Sequence, residues 1–237
     1  MKLQYDHTHD NLTLLKFASY VLLLLVSPII SNGQATKIAE QYSFNLGVTY
    51  KMDEGKASKK GENLVTMWLS NKPYFGMEMG RNNELFMVTD MNTGKSVTLM
   101  NEQKMAMVMD LKKMMQQVAN SEKVKEEAAN TKIQKTGKTE KILGYTCSEF
   151  VMTTSDGTSR AWITTELGSG MTNYLKSMFM MLPGKSKQAA SWEKAGNGVL
   201  LRLESTNKKN EVTRMEATEV KKANRVVSTR GFTVMGQ

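Results

Sequence analysis

The methionines are the residues of this sequence that could do chemistry. The chain has 20 methionines, and three groups recur at short spacing: Met77-x-Met79, Met105-x-Met107-x-Met109 and Met178-x-Met180-Met181. Thioethers are soft ligands that select Cu(I), and their flexible chains also suit adaptable apolar pockets. Methionine at alternate strand positions is equally an ordinary core residue. The pattern therefore leaves three interpretations open: a packed core, the lining of an apolar cavity, or a Cu(I) site.

Histidine and cysteine are too scarce for most other kinds of catalytic or metal-binding site. His7 and His9 both precede an apolar run at residues 17–30, and Cys147 is the single cysteine. If the segment up to Ala35 is removed, no histidine remains, which excludes Ser-His-Asp triads, Cys-His pairs and Cys/His zinc sites. We expect no cofactor and a buried, inert Cys147; the alternative is an intermolecular disulfide or a reactive thiol.

Paired carboxylates could still act as acid and base. The candidates are Asp53, Glu54, Glu78, Asp90, Glu149 and Glu166. Most lie at predicted turns or on solvent faces, and nothing in their spacing singles out a pair. We therefore predict no catalytic residues and a protein that is not an enzyme.

The N-terminal segment has the three parts of a secretory signal peptide. Lys16 precedes the uncharged run at 17–30, and Gly33 and Ala35 supply a small-x-small end. The run is shorter than the roughly 20 residues of a bilayer span, which favours a signal at 1–35 over an uncleaved anchor. We expect export to the periplasm or the medium, and a single domain at 36–237.

Basic residues exceed acidic ones, 32 to 23, for a formal net charge of +9. A positively charged protein surface supports solubility. It could also bind an anionic envelope surface, with a gain of about 1 kcal/mol for each basic residue that lies close to that envelope surface. Aromatic residues make up 7% of the chain and are not interleaved with basic ones, so we predict no nucleic-acid partner.

Short strands between Gly- and Asn-containing turns dominate the rest of the chain. The alternation of Phe75, Met77 and Met79 is typical of a half-buried antiparallel strand. The predicted strands are 42–52, 64–71, 73–80, 84–91, 96–101 and 104–110, and then, in a second β section that starts near Lys138, 145–154, 158–165, 198–205, 211–220 and a last strand that covers 225–229 or continues toward Met235.

Two apolar stripes predict helices. Asp110 is a candidate N-cap for the first, whose stripe is Leu111, Met114, Met115 and Val118. The second stripe consists of Met171, Tyr174, Leu175, Met178, Phe179 and Leu182. Residues near 119–137 are rich in Lys and Glu and indicate a charged helical or linker insertion. The layout predicts an α+β fold: a strongly curved antiparallel half-barrel of about ten strands, covered by two or three helices.

A motif in the second half of the chain resembles a known family. Ile142-x-Gly144-Tyr145-x-Cys147, followed by Trp162-Ile-Thr, is similar to the core motif of the secreted domain-of-unknown-function family 4412. The resemblance implies a layout like that of periplasmic lipoprotein carriers, in which helices cover a half-open barrel that holds acyl chains. No catalytic residues are assigned in that family, so the resemblance implies a structural role for the matching residues.

We therefore expect a non-enzymatic envelope protein that holds an apolar ligand, such as an acyl chain, a lipid or a lipidated peptide. The expected partners are a lipid or lipoprotein, and an anionic envelope surface facing the Lys-rich side. The expected binding residues are Met77, Met79, Met105, Met107 and Met109 on the sheet, and Leu111, Met115, Leu175, Met178 and Phe179 on the helices. The alternatives are a Met-cluster Cu(I)-binding protein and a structural envelope domain with no small ligand.

Overall fold

The computed structural model describes residues 38–53, 63–79, 84–119, 131–168 and 198–236. The strands in order are β1 Gln41–Asp53, β2 Asn63–Leu69, β3 Tyr74–Met79, β4 Leu85–Asp90, β5 Lys95–Met100, β6 Met105–Asp110, β7 Lys132–Ile142, β8 Tyr145–Thr154, β9 Gly157–Thr164, β10 Val199–Asn207, β11 Val212–Ser228 and β12 Thr233–Met235. A helix, α1, covers Leu111–Ala119.

All twelve strands belong to one open sheet with the order β12-β6-β5-β4-β3-β2-β1-β11-β10-β9-β8-β7. The first six strands form an antiparallel meander, and β7 to β11 form a second one. The long strand β11 pairs with β1 and joins the two halves. The chain ends by placing β12 parallel to β6 at one edge.

The predicted α+β fold of about ten strands covered by two or three helices is wrong. The sheet has twelve strands, and the described ranges are nearly all strand with one helix of nine residues. The second predicted helix and the predicted signal peptide lie outside the described residues. Residues 132–137, at the end of the predicted charged insertion, belong to strand β7.

Strand β7 forms the other edge of the sheet, which explains its unusual sequence. Its residues alternate little between apolar and polar, and nearly all of them are exposed. An edge strand has unpaired backbone groups, and exposed lysines discourage another chain from pairing with them. The lysine-rich composition that suggested a linker is therefore suited to this edge.

The two halves of the sheet differ in regularity. Register shifts interrupt the pairs β1–β11, β9–β10 and β7–β8, whereas β2 to β6 pair without a shift. Bulges add local twist and bend the bulged strand. Near one of these shifts, the Tyr50 hydroxyl on β1 donates a hydrogen bond of 2.6 Å to the Leu200 carbonyl on β10, although β11 lies between the two strands.

The start of α1 is fixed by its cap. The Asp110 carboxylate accepts a 2.8 Å hydrogen bond from the Lys113 backbone amide, which satisfies a free donor of the first turn. The predicted N-cap is therefore confirmed. Leu111, the first residue of the helix, is buried.

Gly76 on β3 leaves space for two aromatic rings of the core. A Cβ atom at this position would lie 2.6 Å from Cζ of Phe86 and 3.0 Å from Cζ of Phe44. We expect Gly76→Ala to lower the free energy of unfolding by about 1–3 kcal/mol, because the rings must leave their packed positions. Urea unfolding measures this change.

The same substitution in a Phe86→Leu background provides the control, because leucine removes the ring that clashes. Gly76→Ala should cost less there than in the wild type, as expected for coupled neighbours. An equal cost in both backgrounds would show that ring contact is not the cause.

Candidate functional site on the methionine face

The uninterrupted register of β2 to β6 separates their side chains into two chemically different faces. Successive strand residues point to opposite sides, and directly paired residues share a side. We call one side the methionine face; it consists of Val65, Met67, Leu69, Phe75, Met77, Met79, Leu85, Met87, Thr89, Ser96, Thr98, Met100, Met105, Met107 and Met109. All eight methionines of these five strands lie on it.

One row of this face crosses the sheet at right angles to the strands. Met67 pairs with Met77, and Met77 pairs with Met87. The row continues through Thr98 to Met107. Directly opposed Cβ atoms lie about 4.5–5.5 Å apart, so the first three thioethers are neighbours on three adjacent strands.

The opposite side of the same strands is a close-packed aromatic and aliphatic core. With two residues from β1, its buried members are Tyr42, Phe44, Trp68, Phe86, Val88, Val97, Leu99, Ala106 and Val108. No methionine of β2 to β6 occurs on this side. The charged residues of these strands are all on it: Glu78, Asp90, Lys95 and Asp110.

Glu78 and Arg225 organise this aromatic core. The Glu78 carboxylate accepts hydrogen bonds from Trp68 Nε1 at 2.8 Å and from Arg225 Nη2 at 2.6 Å. The Arg225 guanidinium also lies 4.7 Å from the Trp68 ring centroid and 5.2 Å from that of Phe86. The buried carboxylate is thus paired and hydrogen-bonded, as buried charges must be.

Burial varies across the methionine face. Met67, Met79 and Met87 are buried, whereas Met77 and Met107 are half-buried. The half-buried methionines are therefore on β3 and on the strands near one edge of the sheet, with the buried Met87 between them. Half-buried thioethers give a ligand an apolar surface that can change shape to fit it.

Three hydroxyl groups interrupt the methionines. Thr89, Ser96 and Thr98 are buried on this face, with Ser96 only 2% and Thr98 only 3% exposed. Within the described part of the chain, Ser96 Oγ and Thr98 Oγ1 have no hydrogen-bond partner. Because buried hydroxyls are normally satisfied, these two require an explanation.

The structure brings together the sheet residues that the sequence pattern selected. Met77 and Met79 on β3 share the methionine face with Met105, Met107 and Met109 on β6. Of the predicted helical residues, Leu111 and Met115 are in α1. The other three, Leu175, Met178 and Phe179, lie outside the described residues.

Sequence reasoning missed Met67, Met87, Met100, Ser96 and Thr98. Strand β4 begins with a continuous apolar run, and β2 has apolar residues in succession on both sides of Thr66, so alternation does not show which of their residues share a face. Cross-strand register supplies that information, and no local pattern in the sequence encodes it.

The candidate acid-base carboxylates have structural partners. Glu149 accepts hydrogen bonds from Thr136 Oγ1 at 2.6 Å and from Arg160 Nη1 at 2.9 Å. Glu166 accepts the Thr146 backbone amide. Asp90 accepts the amides of the turn that follows it, and Glu78 belongs to the aromatic core. Glu54 lies outside the described residues, and Asp53 ends β1.

The residues of the family motif lie in a turn or in the core of the sheet. Gly144, with φ of +84°, lies in the turn between β7 and β8, where glycine adopts this conformation without strain. Trp162 packs against the core cluster that contains both Met67 and Cys147, and the Arg202 guanidinium lies 5.2 Å from its ring centroid. Cys147 is buried, as predicted, and burial raises the pKa of its thiol to about 11. The unreactive thiol form is therefore favoured at neutral pH.

The described ranges have neither a metal-ligating cluster of His, Cys, Asp or Glu nor a membrane-spanning helix. They contain no group of three or more His, Cys, Asp or Glu side chains placed to hold a metal ion. They also contain no helix with the length and apolar character needed to cross a membrane.

Comparison with known proteins gives one family and several distant structures. The family model "Domain of unknown function (DUF4412)" matches residues 50–232 and confirms the family resemblance. No curated protein is significantly similar in sequence.

The structures similar to this chain include PNGF-II, at 16% identity and TM-score 0.44, covering 81% of this chain and 31% of that one. The Pseudomonas aeruginosa MucA/MucB complex is 8% identical with TM-score 0.41, over 75% of this chain and 51% of that one. The LolA superfamily protein NE2245 from Nitrosomonas europaea is 11% identical with TM-score 0.29, over 76% and 86%. This chain spans about a third of the PNGF-II chain.

The buried Glu149 makes stability depend on pH. The hydrogen bond from Thr136 and then that from Arg160 hold the pKa of this carboxyl below its ordinary 4.5. Its contribution to stability is therefore present above pH 4.5 and is lost as the pH falls through the lowered pKa. We expect Glu149→Gln to reduce the difference in unfolding free energy between pH 6 and pH 3, measured by urea unfolding.

The exposed Glu219→Gln is the matched control and should leave the wild-type difference intact. A Glu149→Gln protein with the full wild-type pH dependence would contradict this assignment.

Proposed function

Since this chain belongs to the DUF4412 family, whose description assigns no function, we propose a function from the methionine face itself. The protein is a non-enzymatic component of the cell envelope that binds an apolar ligand, an acyl chain of a lipid or lipoprotein, against the methionine face. The N-terminal segment directs export and is cleaved near Ala35. Cleavage leaves the ligand-binding domain as the mature protein.

The segregation of methionine onto one face is the observation that carries this proposal. Both faces of β2 to β6 contain buried apolar residues, so a need for core filling applies to both. If methionine were only filler, we would expect it on both sides. Instead the aromatic side uses rigid side chains with defined packing, and the methionine face uses mainly flexible methionines. A surface that must accept a chain of variable shape requires the second kind.

The charge distribution supports an envelope setting. Lys132, Lys135, Lys138 and Lys141 are exposed on the edge strand β7. Such lysines attract an anionic lipid surface within about a Debye length. We propose that this edge orients the protein toward the membrane that supplies the ligand.

Native mass spectrometry of the protein purified gently from its own envelope tests the proposal. We expect an adduct of lipid mass. The double variant Met77→Lys/Met107→Lys places two ammonium groups on the half-buried part of the face, where an acyl chain would have to desolvate them. The adduct should decrease at least about tenfold.

The matched control is Val212→Lys/Val226→Lys, which adds the same two charges at exposed apolar positions and should retain the adduct. A clean apo mass for the wild type would contradict ligand binding and favour a packed structural domain. Full retention by Met77→Lys/Met107→Lys would place the ligand elsewhere.

A second candidate function is Cu(I) binding, favoured by the row of Met67, Met77 and Met87. These residues are directly opposed on three adjacent strands, so three thioethers could converge above the middle strand. Thioethers are suitable ligands for Cu(I) and need no histidine or cysteine.

A triple substitution tests this second function. If Cu(I) binds, saturation at 100 times Kd should stabilise the wild type by about 2.7 kcal/mol under anaerobic reducing conditions. Met67→Leu/Met77→Leu/Met87→Leu should lose the response, because leucine keeps the volume but removes sulfur.

The matched control is Met105→Leu/Met107→Leu/Met109→Leu, whose residues are spread along one strand, and it should keep the response. A wild type whose Tm does not rise with Cu(I) excludes the metal site.

A further inference from the structure

We propose that the apolar ligand of the methionine face is an acyl ester whose two oxygens accept hydrogen bonds from the hydroxyls of Ser96 and Thr98. This inference rests on the proposed function, since it names the chemical class that the same face takes. It assigns a polar recognition point within an otherwise apolar surface.

The two hydroxyls are the only orphaned groups on this face among the described residues. Ser96 Oγ and Thr98 Oγ1 are each shielded from solvent and lack a hydrogen-bond partner. A buried polar group left unsatisfied is costly, and proteins keep few of them. A ligand group that pairs with both removes this cost when it binds.

Their position places them among the thioethers. Thr98 lies between Met87 on β4 and Met107 on β6, within the cross-strand row. Ser96 is two residues away on the same strand, about 7 Å along β5. A chain lying over the methionines would therefore pass both hydroxyls.

The charge pattern decides which polar group fits. The methionine face of β2 to β6 has no charged residue, so a carboxylate or phosphate seated there would be desolvated without a partner. A hydroxyl can donate one hydrogen bond, and both oxygens of an ester accept. An ester-linked acyl chain thus satisfies two donors and brings no donor or charge of its own.

A displacement assay with a matched pair of lipids tests this inference. The full chain is loaded with the apolar dye N-phenyl-1-naphthylamine, which tests apolar binding by itself. The dye is then displaced with 1-decanoyl-glycerol, which has an ester carbonyl, or with 1-O-decyl-glycerol, the ether lacking it. We expect the wild type to prefer the ester by about 3- to 10-fold, the value of one hydrogen bond.

The isosteric variant Thr98→Val, alone and with Ser96→Ala, should abolish the preference for the ester, which is a ratio of two displacement constants and does not depend on how tightly each variant binds the dye. Neither should lower Tm, because each removes an unsatisfied group and leaves the packing intact. The matched control Thr66→Val lies on the opposite side of the sheet, where the Thr66 hydroxyl is hydrogen-bonded to Thr49. It should retain the preference.

The outcomes separate this inference from the proposed function. If the dye does not bind, the apolar site itself is refuted. If the dye binds but ester and ether displace it equally, the function stands and the ester assignment is overturned. A preference that persists in the Thr98→Val/Ser96→Ala protein overturns it too.

Discussion

The uninterrupted register of β2 to β6 is the constraint on which the rest of the structure depends. Side chains alternate with a period of two, so a slip of one residue would move every side chain to the other face. Here such a slip would bring Glu78 and its charged neighbours onto the methionine face and put the thioethers among the aromatic rings. Two faces that differ this much in chemistry therefore fix the register, and the register in turn keeps the faces separate.

The aromatic side of β2 to β6 is held by close ring packing and by one partly buried ion pair. Trp68 packs over Gly47, where a Cβ atom would lie 2.9 Å from its ring, and Phe86 packs over Gly76. Glu78 and Arg225 then hold Trp68 by hydrogen bonding and ring contact. Because one face fixes the strands, the other can carry flexible side chains and two unsatisfied hydroxyls. A stable core normally has rigid side chains and no unsatisfied hydroxyls. Departures from these rules are expected at functional sites.

Much of the strand pattern could be predicted from the sequence, but the fold class could not. Strong alternation and turn residues located β1 to β6 and the β8–β9 hairpin within one or two residues. Residues 132–137 of strand β7 have the composition of a charged insertion, because an edge strand needs little apolar content. The sheet methionines of the site were found where alternation was clear, as at Met105 to Met109. Assigning Met67, Met87 and the two hydroxyls to this face required the pairing register. That register arises from contacts between strands.

Methyl NMR of protein carrying ¹³C-labelled methionine methyl groups tests the central claim most directly. Titration with 1-decanoyl-glycerol should shift the methyl signals of Met77, Met87 and Met107 together, along one binding curve. The signal of Met152, which is buried on β8 near the other end of the sheet, should stay in place. A shift confined to Met152, or no shifts with saturating lipid, would contradict the claim that the methionine face binds an apolar ligand.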